Sequence, residues 1–278
     1  MCGRYASVRE RQELLAEFLV ERDHVSEELE PDYNVAPTKP VYAVLTRAST
    51  AADDDPEAAA AVPGATLERQ LRVVRWGLVP FWAKDVRIGS RMINARAETV
   101  SEKPAFRRAF AKRRCLLPAD GYYEWQKEPD GAKQPIYISR SDGHALAFAG
   151  LYELWRDGSV GPDDEDAWLW TTTIITTSAP DELGMIHDRM PMIIEPARWT
   201  DWLDPANGDV ADLKSLLSPA AATGLTTYPV STEVNSVRHN GPALIEPLSG
   251  GSPASLSAAA AGAASAAGFA DNGTGVLF

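Results

Sequence analysis

The sequence predicts an α+β fold, with a compact antiparallel β-sheet core, barrel- or sandwich-like, and peripheral helices. Three observations predict it. Short β-patterned runs recur through most of the chain, separated by turn residues. Helical patterns are few and scattered. There is no βαβ alternation, no P-loop and no GxGxxG, which sets aside the doubly wound nucleotide-binding folds.

The elements follow in order. The run "SVRERQELLAEFLV" (7–20) reads as a first helix. Ser7 and Glu10 have capping-box spacing, and Leu14, Leu15, Phe18 and Leu19 share one face. "VYAVLT" (41–46) and "LRVVRWGLV" (71–79) read as strands, the second ending at Pro80. "SEKPAFRRAFAKRRC" (101–115) reads as a helix with Phe106, Ala109 and Phe110 on one side. Strand-like runs follow at 115–118, 121–125, 135–140, 145–155 and 167–177. A helical turn at 180–189, a strand at 191–195, a short helix at 196–204 led by Pro196, and a last strand at 226–231 complete the series. Residues 2–248 read as a single domain. Within it, 48–68 is rich in Ala, Asp and Pro and reads as a flexible insertion. The Ala/Gly/Ser-rich tail, 249–278, is predicted to be disordered.

A chain of 278 residues can bury a sizeable core without a disulfide or metal staple. Its two cysteines, Cys2 and Cys115, have neither disulfide-framework nor metal-ligand spacing, so a reducing, cytoplasmic compartment is expected. Arg9, Glu10 and Arg11 rule out an N-terminal apolar signal, and no run approaches a membrane span. The net charge of −12 argues at first against nucleic acid. Its distribution does not: Arg69 to Arg114 carries a balance of +10, and the rest of the chain −22. Much of that acid lies in 52–61 and 161–167. A basic middle can form a polyanion-binding face, or merely a solvated surface.

Four places hold candidate chemistry. The chain opens "MCGRY", so loss of Met1 would leave Cys2 with a free α-amine beside its thiol. Asn94 and Arg96 lie in a short polar break, "MINARAE" (92–98). Glu124 is a carboxylate among Tyr122, Tyr123 and Trp125. His187, Asp188 and Arg189 fall in "MIHDRMP" (185–191). Each has a plain structural reading as well: a buried thiol, a turn asparagine, a cross-sheet ion pair, a helix-end histidine. A cysteine with a distant His and Asn is a loose nucleophile constellation.

Together with "YNVAPT" (33–38), "RWGLVPFWAKD" (75–85), "RRCLLPADGYYEW" (113–125) and "PVSTEVNSVRHNGPALIEP" (229–247), these motifs resemble the SRAP family. The name stands for SOS-response-associated peptidase, and its members form covalent crosslinks with abasic DNA. The blocks occur in family order over roughly 2–247. The resemblance implies one α+β domain with β-sheets around a central DNA-binding cleft. It implies Cys2 as the crosslinking nucleophile after loss of Met1, Asn94 as holder of the abasic sugar and the N-terminus, and Glu124 with His187 as the acid–base pair. Arg4, Arg96 and Arg189 would contact the DNA backbone, and Trp82 would stack on the DNA. The implied partner is single-stranded DNA carrying abasic sites, including single-strand–double-strand junctions, with no membrane and a monomeric protein. It would be nucleoid-associated when bound. Lyase and self-cleaving peptidase activities also come with the family. The segments at 48–68 and 161–167 and the tail after 248 depart from its common pattern.

The chemistry suits these groups. A ring-opened abasic sugar is an aldehyde. An α-amine attacks it to give an imine, and the thiol on the same residue then closes a five-membered thiazolidine, aided by tethering. At pH 7 only about 10–15% of such an amine is unprotonated. Glu124 can take its proton, its own affinity raised by aromatic neighbours. No metal or organic cofactor is required. Two rival readings are an N-terminal cysteine amidohydrolase or autopeptidase, with the α-amine as base for the thiol, and a non-covalent DNA-binding module. The amidohydrolase reading lacks the "RGPD" and "NGEI" stretches that would bind glutamine.

Overall fold

The computed structural model describes residues 2–48, 66–161, 167–218, 224–248 and 254–255. The insertion and acidic loop singled out above fall mostly outside the described residues, as does the tail. The chain begins β1 (Tyr5–Ser7), α1 (Arg11–Glu17), β2 (Arg22–Asp23), β3 (Asp32–Val35), β4 (Pro40–Ala48) and β5 (Leu67–Trp76). It continues β6 (Asn94–Arg96), α2 (Arg107–Lys112), β7 (Arg114–Ala119), β8 (Gly121–Lys127), β9 (Lys133–Arg140) and β10 (Leu146–Arg156). Then come β11 (Trp168–Ser178), α3 (Asp181–Gly184), β12 (Arg189–Pro191), α4 (Trp199–Leu203), α5 (Val210–Leu216), β13 (Leu225–Pro229) and β14 (Ala254–Ser255). No helix among the described residues is long and apolar enough to cross a membrane.

Five strands close into a barrel in the order β4, β5, β11, β10, β7 and back to β4. Closure gives each of these strands a partner on both sides. It is achieved by a parallel pair, β5 with β11, in a ring that is otherwise antiparallel. Alternate residues divide between two cores, as the two-residue strand period requires. Val41, Ala43, Leu45, Val74, Trp76, Leu117, Phe148 and Ile174 share the interior cluster. Tyr42, Val44, Leu71, Leu116, Ala149 and Ile175 belong to a second cluster with the helix residues Leu14, Phe18, Phe110, Trp199 and Trp202. Gly150 is fixed by the interior: a Cβ there would lie 2.4 Å from Leu117 Cδ1 and 2.8 Å from Cys115 Sγ.

A six-stranded sheet, ordered β14-β13-β9-β8-β1-β3, packs on the barrel. One face, with Tyr5, Val35, Tyr122, Ile136 and Ile138, joins the barrel's interior cluster. The other carries Ala6, Tyr123 and Tyr137 and is covered by Val230, Val234 and Leu244. The N-terminal residues enter between these two bodies.

Local expectations change in three places. Ser7 does not cap α1. It pairs with Asp32 at the end of β1, and Glu10 and Glu13 form the reciprocal capping box instead. The helix expected at 101–115 is only α2, because turns occupy the chain around Pro104 and Arg114 already belongs to β7. The polar break at 94–96 is a strand, paired in parallel with β11.

Candidate active site

Cys2 is completely buried. Its position follows from strand pairing. β1 lies antiparallel to β8 with Tyr5 opposite Tyr122, and the Tyr123 N–H donates to the Arg4 carbonyl at 3.1 Å. The same register sets Gly3 beside Glu124. From the barrel side, Asn94 Nδ2 donates to the Cys2 carbonyl at 2.8 Å. Asn94 is itself fixed by its place opposite Ile174 on β11, and its neighbour's carbonyl, that of Ile93, accepts from Trp76 Nε1 at 2.9 Å. Asn94 Oδ1 is buried without a hydrogen-bond partner, as are the hydroxyls of Tyr5 and Tyr122. Such orphaned groups are rare in a folded core. Burial, then the neighbouring Glu124, push the Cys2 thiol far above its ordinary range, so the sulfur rests as a neutral thiol.

Glu124 and His187 line one narrow crevice with Tyr122, Ile138, Leu183, Ile186, Arg189 and Met190. Glu124 is 3% exposed. Burial pushes its carboxyl up to about 7, against the pull of the ammonium that Met1 carries. His187 Nδ1 accepts the Arg189 backbone N–H at 3.0 Å and lies 2.9 Å from Asp188 Oδ1. These contacts ask for opposite states of Nδ1, since only a protonated Nδ1 could donate to Asp188. Burial, joined by the N-terminal ammonium, lowers the imidazole's proton affinity. The neutral ring then accepts from Arg189, which assigns its proton to Nε2. A carboxyl poised near neutrality beside a neutral Nε2–H donor can serve as a base and an acid in one crevice.

The remaining residues expected at the site are distributed differently. Arg4 points to the other side of its sheet, where Nη1 donates to Asn34 Oδ1 at 2.6 Å and to the Val234 carbonyl at 2.8 Å. Arg189 reaches across the end of β11 to Glu98, so its guanidinium is already engaged. Arg96 is exposed. Trp82 is half exposed beside Phe81, over whose ring the Arg108 guanidinium sits at 4.5 Å. The basic stretch is only partly a surface. Arg72 and Arg114 are buried, and Arg114 satisfies the carbonyls of Trp202, Phe110 and Asn207. Lys84, Arg87, Arg91, Arg96, Lys103, Arg107, Arg108 and Lys112 remain exposed.

The structure therefore bonds Asn94 to Cys2, sets Cys2 near Glu124, and puts Glu124 and the partly exposed His187 on one crevice, while Trp82 and Arg96 lie on the surface. Sequence reasoning missed Glu98, Asn34 and the phenols of Tyr5 and Tyr122. Asn34 is fully buried and donates to the carbonyls of Val234, Ser236 and His239 while accepting from Arg4. Its place in "YNVAPT" was its only signal. Among the described residues, no group of three or more His, Cys, Asp or Glu is placed to hold a metal ion.

Residues 1–237 match the family described as SOS response associated peptidase (SRAP). The chain is 39% identical over 246 residues to the Abasic site processing protein YoqW of Bacillus subtilis, covering 88% of this chain and 99% of that one. It is 32% identical over 253 residues to the Abasic site processing protein HMCES of Gallus gallus, covering 83% and 70%. Among solved structures, a protein from Bacteroides thetaiotaomicron superposes with a TM-score of 0.70 at 26% identity, over 89% of this chain and all of that one. With a family match spanning most of its length and relatives of this identity, the chain belongs to the SRAP family.

Proposed function

We propose that this protein processes abasic sites in single-stranded DNA, junctions included, by closing a thiazolidine between Cys2 and the aldehyde of the ring-opened sugar. The observation that carries the reading is the hydrogen bond from Asn94 to the Cys2 carbonyl, which holds Cys2 against β6 while the β1–β8 register brings its chain alongside Glu124. The names of the relatives, abasic site processing proteins, point the same way.

Removal of Met1 converts the Cys2 nitrogen from an amide into an amine. Asn94 Oδ1, buried and without a partner, is a ready acceptor for one of its protons. Glu124, its proton affinity raised by burial, takes a proton from the Cys2 ammonium and leaves the nitrogen free to attack the aldehyde carbon. A C–N bond forms, the former carbonyl oxygen leaves as water, and an imine remains. The neutral Cys2 thiol then adds to the imine carbon: a C–S bond forms and the sulfur's proton passes to nitrogen. His187 Nε2–H donates to the sugar ring oxygen, favouring the open aldehyde. Arg96 and Arg189 hold backbone phosphates, and Trp82 stacks on a flanking base.

Incubation with an abasic oligonucleotide, followed by denaturing electrophoresis, tests the reading. A shifted band is expected with the wild type and none with Cys2→Ala. Its absence in the wild type, or its persistence at full yield in Cys2→Ala, would falsify the assignment of Cys2.

A further inference from the structure

The Arg189 guanidinium is held two-pronged by one acid. Nη1 donates to Glu98 Oε1 at 2.6 Å, and Nη2 to Oε2 at 3.1 Å. Nη2 also donates to the Thr176 carbonyl at 2.6 Å, which fixes the fork over the end of β11. This is the geometry with which a guanidinium grips a phosphate. The side chain of Glu98 is 49% exposed and that of Arg189 only 13%, so the glutamate covers the arginine from the solvent side. Arg96 acts on the same carboxylate electrostatically. Strand register sets Arg96 opposite Thr176 on one flank of β11 and Arg189 opposite Ser178 on the other. Arg189 also lines the crevice of Glu124 and His187.

We propose that Glu98 is an internal stand-in for a DNA phosphate and so a specificity-determining residue: a strand engages Arg189 only by replacing the carboxylate with a backbone phosphate. This rests on the reading of Arg189 as a phosphate contact. A strand held by surface lysines and arginines alone leaves the pair closed. A strand whose abasic sugar enters the crevice brings its flanking phosphate against Arg189 and opens the pair. Glu98 therefore works against undamaged DNA more than against abasic DNA.

The test is non-covalent binding by fluorescence anisotropy over a salt series. The probes are an undamaged single-stranded oligonucleotide and one carrying a tetrahydrofuran analogue of the abasic site, which has no aldehyde to crosslink. Glu98→Gln is expected to bind the undamaged strand about three- to ten-fold more tightly, with a log–log salt slope steeper by about 0.7. The affinity ratio between analogue and undamaged strand is expected to narrow. Glu102→Gln removes the same charge from an exposed acid that does not touch Arg189, and should change affinity by less than about two-fold. Undamaged-strand affinity that is unchanged or weaker in a natively folded Glu98→Gln overturns the proposal, and so does an equal gain in Glu102→Gln. If Glu98→Gln does not fold, Glu98→Ala removes the carboxylate as well, and no gain there overturns the proposal equally. Arg189→Gln reports on the underlying reading. Unchanged affinity for the analogue means that Arg189 does not meet a phosphate. Weakened affinity there, without the gain in Glu98→Gln, removes Glu98 alone.

Discussion

Replacing Glu124 by glutamine should make the folded protein more stable at pH 8 and leave it unchanged at pH 4. The carboxyl has an ordinary value near 4.5 and is raised to about 7 in the fold, chiefly by burial. A group whose affinity for protons is higher in the folded state contributes its stability below its unfolded pKa. It loses that contribution as pH rises through the folded one. The contribution of this carboxyl to the wild type's stability should therefore fall between about pH 4.5 and pH 7 and level above that. The full difference corresponds to about 3 kcal/mol. Glutamine has nearly the same shape and no charge to desolvate, so the penalty is absent. The assay is urea unfolding of wild type and Glu124→Gln at pH 4, 6 and 8, reading the midpoint at constant slope. A gap near zero at pH 4 that grows to about 3 kcal/mol at pH 8 is expected. A variant less stable than wild type at pH 8, or a gap independent of pH, would refute the claim that burial raises this carboxyl. The same substitution should slow crosslinking more than it weakens DNA binding, which would make Glu124 a group kept for chemistry at the expense of stability.

Other outcomes follow from the same geometry. Asn94→Ala removes the hydrogen bond to the Cys2 carbonyl and should slow crosslinking about ten-fold or more while the melting temperature moves little, as read by single-turnover gel kinetics. Arg96→Gln should flatten the salt slope of single-strand binding by about 0.7, because this exposed guanidinium is the proposed phosphate contact left uncovered in the free protein. Gly150→Ala should destabilise the fold by about 1–3 kcal/mol in urea unfolding, since its Cβ would collide with Leu117 and Cys115 inside the barrel. Cys2→Ser should give at most a weaker adduct that borohydride reduces, since an oxazolidine reopens to an imine more readily than the sulfur ring.

Much of the barrel is legible because its strands are long and patterned. β10 and β11 are buried along most of their length, and their runs stand out as continuous apolar or threonine-rich stretches. β1, β3 and β6 are three or four residues long, too short for a period to register. β6 exists only because β11, some eighty residues away in the chain, offers it a parallel edge. The candidate site shows the same division. Cys2, Asn94, Glu124 and His187 could be singled out as residue types within motifs. The partners that position or restrain their neighbours could not. Whether Arg189 meets Glu98, or Arg4 meets Asn34, depends on which strands lie side by side, and local sequence does not carry that information. The charge of 69–114 misled in part for the same reason, since Arg72 and Arg114 are turned inward by strand alternation.

The measurement closest to the central claim is the intact mass of the adduct formed with an abasic oligonucleotide, before and after borohydride. The account predicts the mass of the chain without Met1 plus that of the oligonucleotide, less one water, unchanged by borohydride because the imine has closed to a ring. An adduct that gains two hydrogens would mean an open imine. An adduct that retains Met1 would contradict the use of the Cys2 nitrogen altogether.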